Sequence, residues 1–521
     1  GDHRITYREL SERADRIALA LGRTAPDGHG PVAVVLDKCA DLPAALLAVL
    51  RTGAPYLPLA PEHARTRLPR LVGRAAVSAW VTRSDIAEDL GLSEQLPCVL
   101  VDALEARTDS RGEKVAAAPG PEDLAYVMPT SGTSGEPKLV GVPHKAVVRL
   151  VRGNRTLPLD HGHTTMLVSN TSFDAATFEL WGALANGGRL VVPGDRELQD
   201  PRRLCEAVER HGVTAGFFTV SLFERLLEAE PARLAGMTHL LVGGEPVPPD
   251  LFVRASAHVP RANLVNGYGP TENTTFSCCY RVSRDLSGLR STPIGPPVDG
   301  SGAVVVDDAL NALPVGVPGE LAVTGHGLAH GYLDDPELTA RRFVTLEGFG
   351  GARAYLTGDR ARLLPDGSFE YLGRLDRQVK VRGHRVEPDE VEAELEAHPS
   401  VRRAAAYAER IAGTSTLRAA VEADGIDGHE LRRWLHERVP GYLVPDLVHV
   451  LEAFPLTENG KLDYGALRSE VRNRPGVVDG PYVEHPETGT VVRIWQELLG
   501  QGEVTPDSDF FRLGANSITV L

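Results

Sequence analysis

Apolar runs of strand length alternate with helical segments between about residue 30 and residue 330. Pro31–Asp37 (PVAVVLD) has the pattern of a buried strand, and Asp41–Thr52 that of a helix closed by Gly53. His239–Gly244 (HLLVGG) is a further strand that runs into a glycine turn. Because strands that alternate with helices build parallel sheets covered by helices, this stretch predicts a layered α/β domain.

The rest of the chain has a different pattern. Residues 291–332 are rich in glycine and proline and predict short antiparallel strands joined by turns. Charge density rises abruptly over Gly373–Arg385, and Pro388–His398 reads as a helix with acids near its start, so we place a domain boundary near Asp376. Val471–Pro481 predicts a linker, and Val491–Leu499 an amphipathic helix beyond it.

Size and charge restrict the classes of function. A chain of 521 residues is too long for one core and predicts two or three domains. Seventy acidic against 55 basic residues, a net charge of −15, argue against nucleic acid or an anionic membrane as partner. With neither a span of roughly 20 apolar residues nor a cationic leader, we expect a soluble, cytoplasmic protein. Both ends look cut, so we expect a piece of a longer polypeptide.

Residues 130–138 read TSGTSGEPK and form the densest candidate for ligand binding. Glycine lets backbone N–H groups approach an anion closely, hydroxyls add donors, and Lys138 adds a point charge. The run lacks the Gly-Lys-Ser/Thr ending of a Walker loop, so it indicates ATP bound in another way. A flexible loop without function is the alternative interpretation.

Further runs follow in a fixed order along the chain. They are LRTGAPYLPLA (50–60), FDAATFEL (173–180), NGYGPTE (266–272), YLTGDR (355–360), GRLDRQVKVRGHR (373–385), NGKLDY (459–464) and DSDFFRLGANSI (507–518). Together with the 130–138 loop they resemble the adenylation domain of a nonribosomal peptide synthetase followed by the start of a peptidyl carrier domain. The wider group is the acyl- and aminoacyl-adenylate-forming enzymes. Departures such as Ala60, Ser134 and Leu139 remove no catalytic functional group.

The resemblance implies an α/β fold with four parts. A large N-terminal lobe of layered βαβ subdomains plus a small β-barrel covers residues 1–375. A smaller α+β C-terminal lobe follows over 376–470, then a linker over 471–482. An incomplete helical peptidyl carrier domain occupies 483–521.

The implied reaction is attack of an amino-acid carboxylate on the α-phosphate of ATP, with loss of pyrophosphate. Two anions meet, so the site needs cations and oriented donors rather than a covalent nucleophile. Lys461 is the expected catalytic cation, and Glu272 the expected Mg²⁺ ligand. The expected ATP-binding residues are Thr130, Ser131, Gly132, Thr133, Lys138, Asn266, Tyr268, Gly269, Thr271, Asp359 and Arg374.

Two further residues match functions outside the adenylation step. Asp376 matches the hinge about which the small lobe rotates, so that the face carrying Lys380 replaces Lys461 and a thiol reaches the adenylate. Ser517 matches the serine that accepts 4′-phosphopantetheine, in a setting that predicts a helix N-terminus.

The amino-acid pocket implied by the family motifs has one acid and one ammonium. Asp174 pairs with the substrate ammonium and Lys461 with its carboxylate. The other lining positions are uncharged: Ala175, Phe178, Phe217, Leu241, Gly243, Gly267, Thr275 and Phe276. Three phenylalanines narrow the space while two glycines relieve it, which favours a branched aliphatic side chain, valine first.

Several alternatives stay open at this point. Glu272 also reads as a helix-capping acid, Asp359 as an Asx turn, and Lys461 as a lysine in a turn. Tyr268 also reads as a core tyrosine, and Ser517 as an N-cap. At the level of function, the alternatives are an acyl-CoA ligase that uses free CoA and a non-catalytic nucleotide-binding module. Expected partners are the carrier domain in cis, neighbouring synthetase domains and a small MbtH-like helper protein.

Overall fold

The structure is a computed structural model in which the chain divides into two compact units, with the boundary between Arg377 and Gln378. It describes residues 4–25, 30–94, 96–104, 119–132, 137–282, 286, 289, 291–411, 414–455 and 462–473. The predicted helix Val491–Leu499 and the predicted carrier domain over 483–521 lie outside these residues. In the described part, no helix is both long enough and apolar enough to cross a membrane.

The first part of unit one is a mixed sheet, parallel except at one end, and it is covered by helices on both faces. Its strands are β1 (Val32–Val35), β2 (Tyr56–Leu59), β3 (Ala79–Thr82), β4 (Cys98–Leu100), β5 (Leu124–Thr130) and β6 (Lys138–Pro143). Its helices are α1 (Tyr7–Thr24), α2 (Asp41–Arg51), α3 (Pro61–Arg74), α4 (Ser84–Leu90) and α5 (His144–Val151). Val32 and Val34 pack in one core with α1 and α2, whereas Ala33 and Val35 pack in another with α3. The apolar run in β1 is therefore continuous because both faces of the strand are buried.

A second α/β layer follows and carries most of the predicted pocket. Its strands are β7 (Thr164–Met166), β8 (Arg189–Val191), β9 (Ala215–Thr219), β10 (His239–Gly243), β11 (Asn263–Tyr268) and β12 (Cys278–Arg281). Its helices are α6 (Ala175–Leu184), α7 (Asp195–Gln199), α8 (Pro201–His211), α9 (Val220–Ala229) and α10 (Pro249–His258). Strands β9, β10 and β11 are parallel and β12 is antiparallel to β11. The carboxyl ends of the three parallel strands β9, β10 and β11 lie at one edge of the sheet, where ligands bind in open α/β sheets.

The end of unit one is an antiparallel sheet, in the segment for which a small β-barrel was predicted. The elements are β13 (Ser301–Val306), β14 (Gly319–Gly325), β15 (Gly331–Tyr332), α11 (Pro336–Arg342), β16 (Phe343–Leu346), β17 (Ala352–Leu363) and β18 (Phe369–Arg374). The order is β13-β14-β17-β16, and β18 also pairs with β17. Strand β15 instead joins the first sheet, which runs β15-β6-β5-β2-β1-β3-β4.

The second unit is a smaller α+β unit. Its elements are β19 (Val379–Val381), β20 (His384–Val386), α12 (Pro388–Glu396), β21 (Val401–Ile411), β22 (Thr414–Ala423), α13 (Gly428–His436), β23 (Leu447–Leu451) and α14 (Tyr464–Asn473). Strands β21 and β22 form a long hairpin, and β23 runs parallel to β22. The predicted α/β fold class, with a layered large lobe and a smaller α+β lobe, is confirmed.

Candidate active site

Asp174 lies at the start of α6 and is fixed by one residue of a neighbouring loop. Its Oδ2 accepts a hydrogen bond from the backbone N–H of Thr275 at 3.2 Å, and its backbone carbonyl accepts one from Thr275 Oγ1 at 2.9 Å. The carboxylate is therefore held on one side by the loop after β11. Ala175, the first residue of α6, is partly buried beside it.

Three buried phenylalanines form an aromatic cluster close to Asp174. The ring centroids of Phe178 and Phe276 are 5.5 Å apart, and those of Phe217 and Phe276 are also 5.5 Å apart. Both distances lie in the range of favourable aromatic pairs. Phe276 thus stands between the other two rings, and the structure brings together the three phenylalanines that the sequence predicted for the pocket.

The register of β9, β10 and β11 brings three more predicted pocket residues side by side with Phe217 or with each other. Leu241 pairs with Phe217 on β9, and Gly243 pairs with Gly267 on β11. A Cβ on Gly267 would lie 2.8 Å from Phe276 Cε1, and a Cβ on Gly243 would lie 2.2 Å from the Gly267 carbonyl oxygen. The expectation that the two glycines relieve the pocket is therefore wrong. Rings and backbone fill the space above them, so these glycines permit close packing instead.

The loop over residues 271–277 carries the predicted Mg²⁺ ligand. A 3₁₀ turn spans Thr271–Asn273, and Glu272 within it is fully buried. The carboxylate of Glu272 accepts a hydrogen bond from the hydroxyl of Tyr332 at 2.7 Å, which fixes its orientation. In the described part of the chain, no three or more His, Cys, Asp or Glu side chains converge as a metal site. Glu272 fits a Mg²⁺ ion whose other ligands are phosphate oxygens and water.

The residues of the YGPTE and TGD motifs that were predicted to bind the nucleotide are in direct contact. Tyr268 donates its hydroxyl to Asp359 Oδ2, and Arg374 donates to Asp359 Oδ1 at 2.8 Å. Burial, followed by the charge of Asp359, raises the pKa of Tyr268 well above its usual value, so this tyrosine stays a neutral donor. Arg374 also bonds both carboxylate oxygens of Asp376, the predicted hinge residue, at 2.8 and 2.7 Å.

Three other predicted nucleotide residues flank Tyr268. Asn266 is buried on β11, and its Nδ2 donates to the Pro293 carbonyl at 2.8 Å. At Gly269 a Cβ would lie 2.2 Å from the Thr275 carbonyl oxygen, so no larger residue fits there without movement. Thr271 begins the 3₁₀ turn described above.

The 130–138 loop begins and ends on adjacent strands. Thr130 ends β5 and pairs in register with Lys138, which begins β6. Thr130 Oγ1 is buried and has no hydrogen-bond partner among the described residues, and Ser131 is buried next to it. A buried hydroxyl without a partner fits a site in which a ligand oxygen supplies one. Gly132 groups with the second unit by its contacts. Thr133, Lys461 and Ser517 lie outside the described residues.

Sequence reasoning missed two buried charged groups near this site. One is Arg149 on α5, which contacts the 271–277 loop. The other is Glu179 on α6. Burial raises the pKa of Glu179 to about 8, although hydrogen bonds from Ser169 and the nearby charge of Lys38 act to lower it. Lys38 is one of only six lysines in the chain, and the rarity of lysine was the only sequence signal that could have drawn attention to this residue. Glu179 ends the FDAATFE run but read as an ordinary helix residue.

Comparison with known proteins agrees with this geometry. The sequence profile of the AMP-binding enzymes matches residues 1–333, and that of the AMP-binding enzyme C-terminal domain matches residues 390–461. The chain therefore belongs to the AMP-binding enzymes, and within them to the adenylation domains of nonribosomal peptide synthetases. Amino-acid adenylating ligases are the class of enzyme that this membership defines.

Individual relatives support the narrower assignment. Tyrocidine synthase 3 of Brevibacillus parabrevis is 36% identical over 519 residues, and malpibaldin synthetase of Mortierella alpina is 37% identical over 523. The match covers 99% of this chain in both cases, but only 8% and 9% of those synthetases. The holo structure of PA1221, an NRPS protein containing adenylation and PCP domains bound to a vinylsulfonamide inhibitor, is 31% identical with a TM-score of 0.84. That match covers 99% of this chain and 86% of that one.

Proposed function

We propose that this chain activates a branched aliphatic amino acid, L-valine first, as its aminoacyl-AMP and passes it to the phosphopantetheine thiol of a carrier domain in cis. The observation that carries the proposal is the position of Asp174 beside the aromatic cluster. An acid next to uncharged rings suits a substrate with an ammonium at one end and an apolar side chain.

The aromatic cluster limits the size of that side chain. Phe276 lies against both Phe178 and Phe217, and it occupies the space over Gly267. A substrate side chain then lies against the surface of the cluster rather than between its rings. This arrangement supports a small branched side chain over an aromatic one, and among such side chains we propose valine ahead of isoleucine and leucine.

The other main residues of the predicted site have the following roles in this proposal. Asp359 accepts the ribose hydroxyls, Tyr268 lies against the adenine, and Thr130, Ser131, Gly132, Thr133 and Lys138 hold the β- and γ-phosphates. Glu272 holds Mg²⁺, which neutralises phosphate charge when bound. Lys461 contacts the substrate carboxylate and the α-phosphate, and it stabilises the charge that develops as the carboxylate oxygen attacks phosphorus and pyrophosphate leaves.

The carrier and partner assignments rest on the family. This chain is similar to multidomain synthetases and to a solved structure that contains adenylation and PCP domains. We therefore propose Ser517 as the phosphopantetheine attachment site, Asp376 as the hinge, and an MbtH-like protein as a helper. Domain limits of 1–375, 376–470, 471–482 and 483–521 remain part of this proposal.

Exchange of labelled pyrophosphate into ATP tests the function most simply. We expect exchange with L-valine, weaker exchange with isoleucine and leucine, and none with glycine, aspartate or lysine. The matched acid without an amine, 3-methylbutanoic acid, should support at least ~10-fold less exchange, because a charge-assisted hydrogen bond contributes about 1.5–3 kcal/mol. Equal exchange with that acid, or thioester formation on free CoA, would instead identify an acyl-CoA ligase.

A further inference from the structure

Arg149 is a buried cation in a helix face that is otherwise apolar. It lies on α5 among the buried residues Ala146, Leu150 and Val151, and only 6% of it is exposed. All its hydrogen-bond partners in the described part of the chain are backbone carbonyls: those of Asn273, Thr274 and Phe276. A buried charge with no opposite charge beside it is costly, so a specific reason for its presence is expected.

The three carbonyls belong to the loop that contacts Asp174. Within it Thr274 and Thr275 have φ values of 52° and 65°, a left-handed backbone that β-branched residues rarely adopt. Such a strained backbone persists only where its surroundings impose it. The guanidinium of Arg149 provides that constraint, because it bonds the carbonyls on either side of Thr275.

One peptide group links Arg149 to Asp174. Arg149 Nη2 donates to the Thr274 carbonyl at 3.3 Å, and the N–H of the same peptide group, on Thr275, donates to Asp174 Oδ2 at 3.2 Å. The cation and the carboxylate therefore lie at opposite ends of one peptide dipole. Such an arrangement polarises the peptide and strengthens its N–H as a donor.

The structure makes room for the guanidinium at Gly327. A Cβ there would lie 1.8 Å from Arg149 Nη2, and the Gly327 carbonyl accepts a hydrogen bond from Thr274 Oγ1 at 2.8 Å. Burial lowers the pKa of Arg149 only to about 10, so the side chain stays charged at neutral pH. The loop is thus held by a charged residue whose hydrogen bonds go to the loop backbone.

We propose that Arg149 is a positioning residue that acts through the Thr274–Thr275 peptide to orient Asp174 for the substrate ammonium. This inference rests on the proposed function, since it assumes that Asp174 binds an amine. It assigns amine recognition to a second residue that does not itself contact the substrate.

Two tight-binding inhibitors distinguish a loss of amine recognition from a general loss of folded structure in the variants. They are 5′-O-sulfamoyl adenosines that carry either an L-valyl group or the matching 3-methylbutanoyl group, which lacks the amine. Inhibition constants for both are measured in the exchange assay on the full chain. The wild type should prefer the L-valyl probe by roughly 10–100-fold. No preference in the wild type would overturn the proposed function itself.

Arg149→Met should reduce that preference about 10-fold while the KM for ATP changes less than about 3-fold. Arg149→Lys should restore part of the preference, because it keeps the charge but cannot bond three carbonyls. Gly327→Ala should reduce the preference in the same way without removing any charge. Arg51→Met is the matched control, since Arg51 also donates to a carbonyl, that of Ser11, at 2.8 Å, and should leave the preference unchanged.

An unchanged preference in Arg149→Met overturns the inference about Arg149 alone. An equal weakening of both probes and of ATP would also overturn it, because that result indicates loss of the fold around α5. If Arg149→Met does not fold, Arg149→Lys and Gly327→Ala decide the question by the same ratio.

Discussion

Each of the two oxygens of the Asp359 carboxylate accepts a hydrogen bond from a protein side chain. Oδ2 accepts from the Tyr268 hydroxyl and Oδ1 from Arg374, whose side chain is largely buried. Hydrogen bonds to an ionised group are about twice as strong as neutral ones, so the carboxylate has little freedom to rotate. Each oxygen still has a lone pair available, which is what two ribose hydroxyls require.

Tyr268→Phe should therefore affect ATP and not the amino acid. The change removes the hydroxyl that bonds Asp359 and keeps the ring that we assign to adenine. We expect the KM for ATP to rise about 5–20-fold, on the order of 1–2 kcal/mol, with the KM for the amino acid nearly unchanged. Steady-state exchange kinetics measure both values. Tyr280→Phe on the adjacent strand β12 is the control, and equal effects of the two substitutions would contradict the assignment.

Among the elements, the connection from β7 to α6 determines where Asp174 lies. Lys38 Nζ donates to the Val168 carbonyl at 2.6 Å, while the Glu179 carboxylate accepts from the N–H and hydroxyl of Ser169 at 2.9 and 3.0 Å. Two buried ionisable side chains thus hold neighbouring residues of one short connection. Burial raises the pKa of Glu179 to about 8 and lowers that of Lys38.

Glu179→Gln should become more stable relative to the wild type as pH rises from 5 to 8. Glu179 binds a proton more tightly in the folded state than in the unfolded state, so its contribution to stability is lost as pH rises toward 8. Glutamine does not titrate, so the variant does not lose this stability. Without Glu179 beside it, Lys38 binds its proton less tightly in the folded state, which also makes the variant relatively more stable as pH rises. We expect a relative gain on the order of 1–3 kcal/mol across this range in urea unfolding at several pH values. A difference that does not vary with pH would show that Glu179 is not desolvated.

The sequence was sufficient for elements and motifs but not for the contacts that depend on three-dimensional packing. The apolar run of β1, the helix Pro388–Glu396 and the residues Asp174 and Asp359 all follow from local pattern or motif. Arg149 could not be found this way, because it is one of 49 arginines and its partners lie more than 120 residues away. The role of Gly267 was also misjudged, since only the fold shows that the Phe276 ring occupies the space above it.

The adenylation reaction, as proposed, uses residues from both sides of the boundary at Arg377 in the sequence. Asp174 precedes that boundary and Lys461 follows it. An enzyme divided in this way can exchange one set of residues for another between half-reactions if one unit rotates. Asp376, two residues before the boundary and bonded to Arg374, is where we propose that the rotation occurs.

Substitutions of two lysines that follow the boundary in the sequence test this division. Lys461→Ala should lower kcat for pyrophosphate exchange about 10²–10³-fold, because it removes charge that stabilises the transition state. Lys380→Ala is the matched control and should leave exchange nearly intact, since we assign its face to the later thiol step. Both are read in the same exchange assay. Similar losses in the two variants would show that the half-reactions do not use separate faces.

The central claim, that Asp174 recognises the substrate ammonium, is tested most directly by Asp174→Asn. The amide keeps an oxygen that can accept the Thr275 N–H, but it removes the charge that attracts an amine. We predict that kcat/KM for L-valine in pyrophosphate exchange falls about 10²-fold while that for 3-methylbutanoic acid does not fall, consistent with the loss of about 2–3 kcal/mol for one charged hydrogen bond. Equal losses for the two acids, or no loss for valine, would contradict the account.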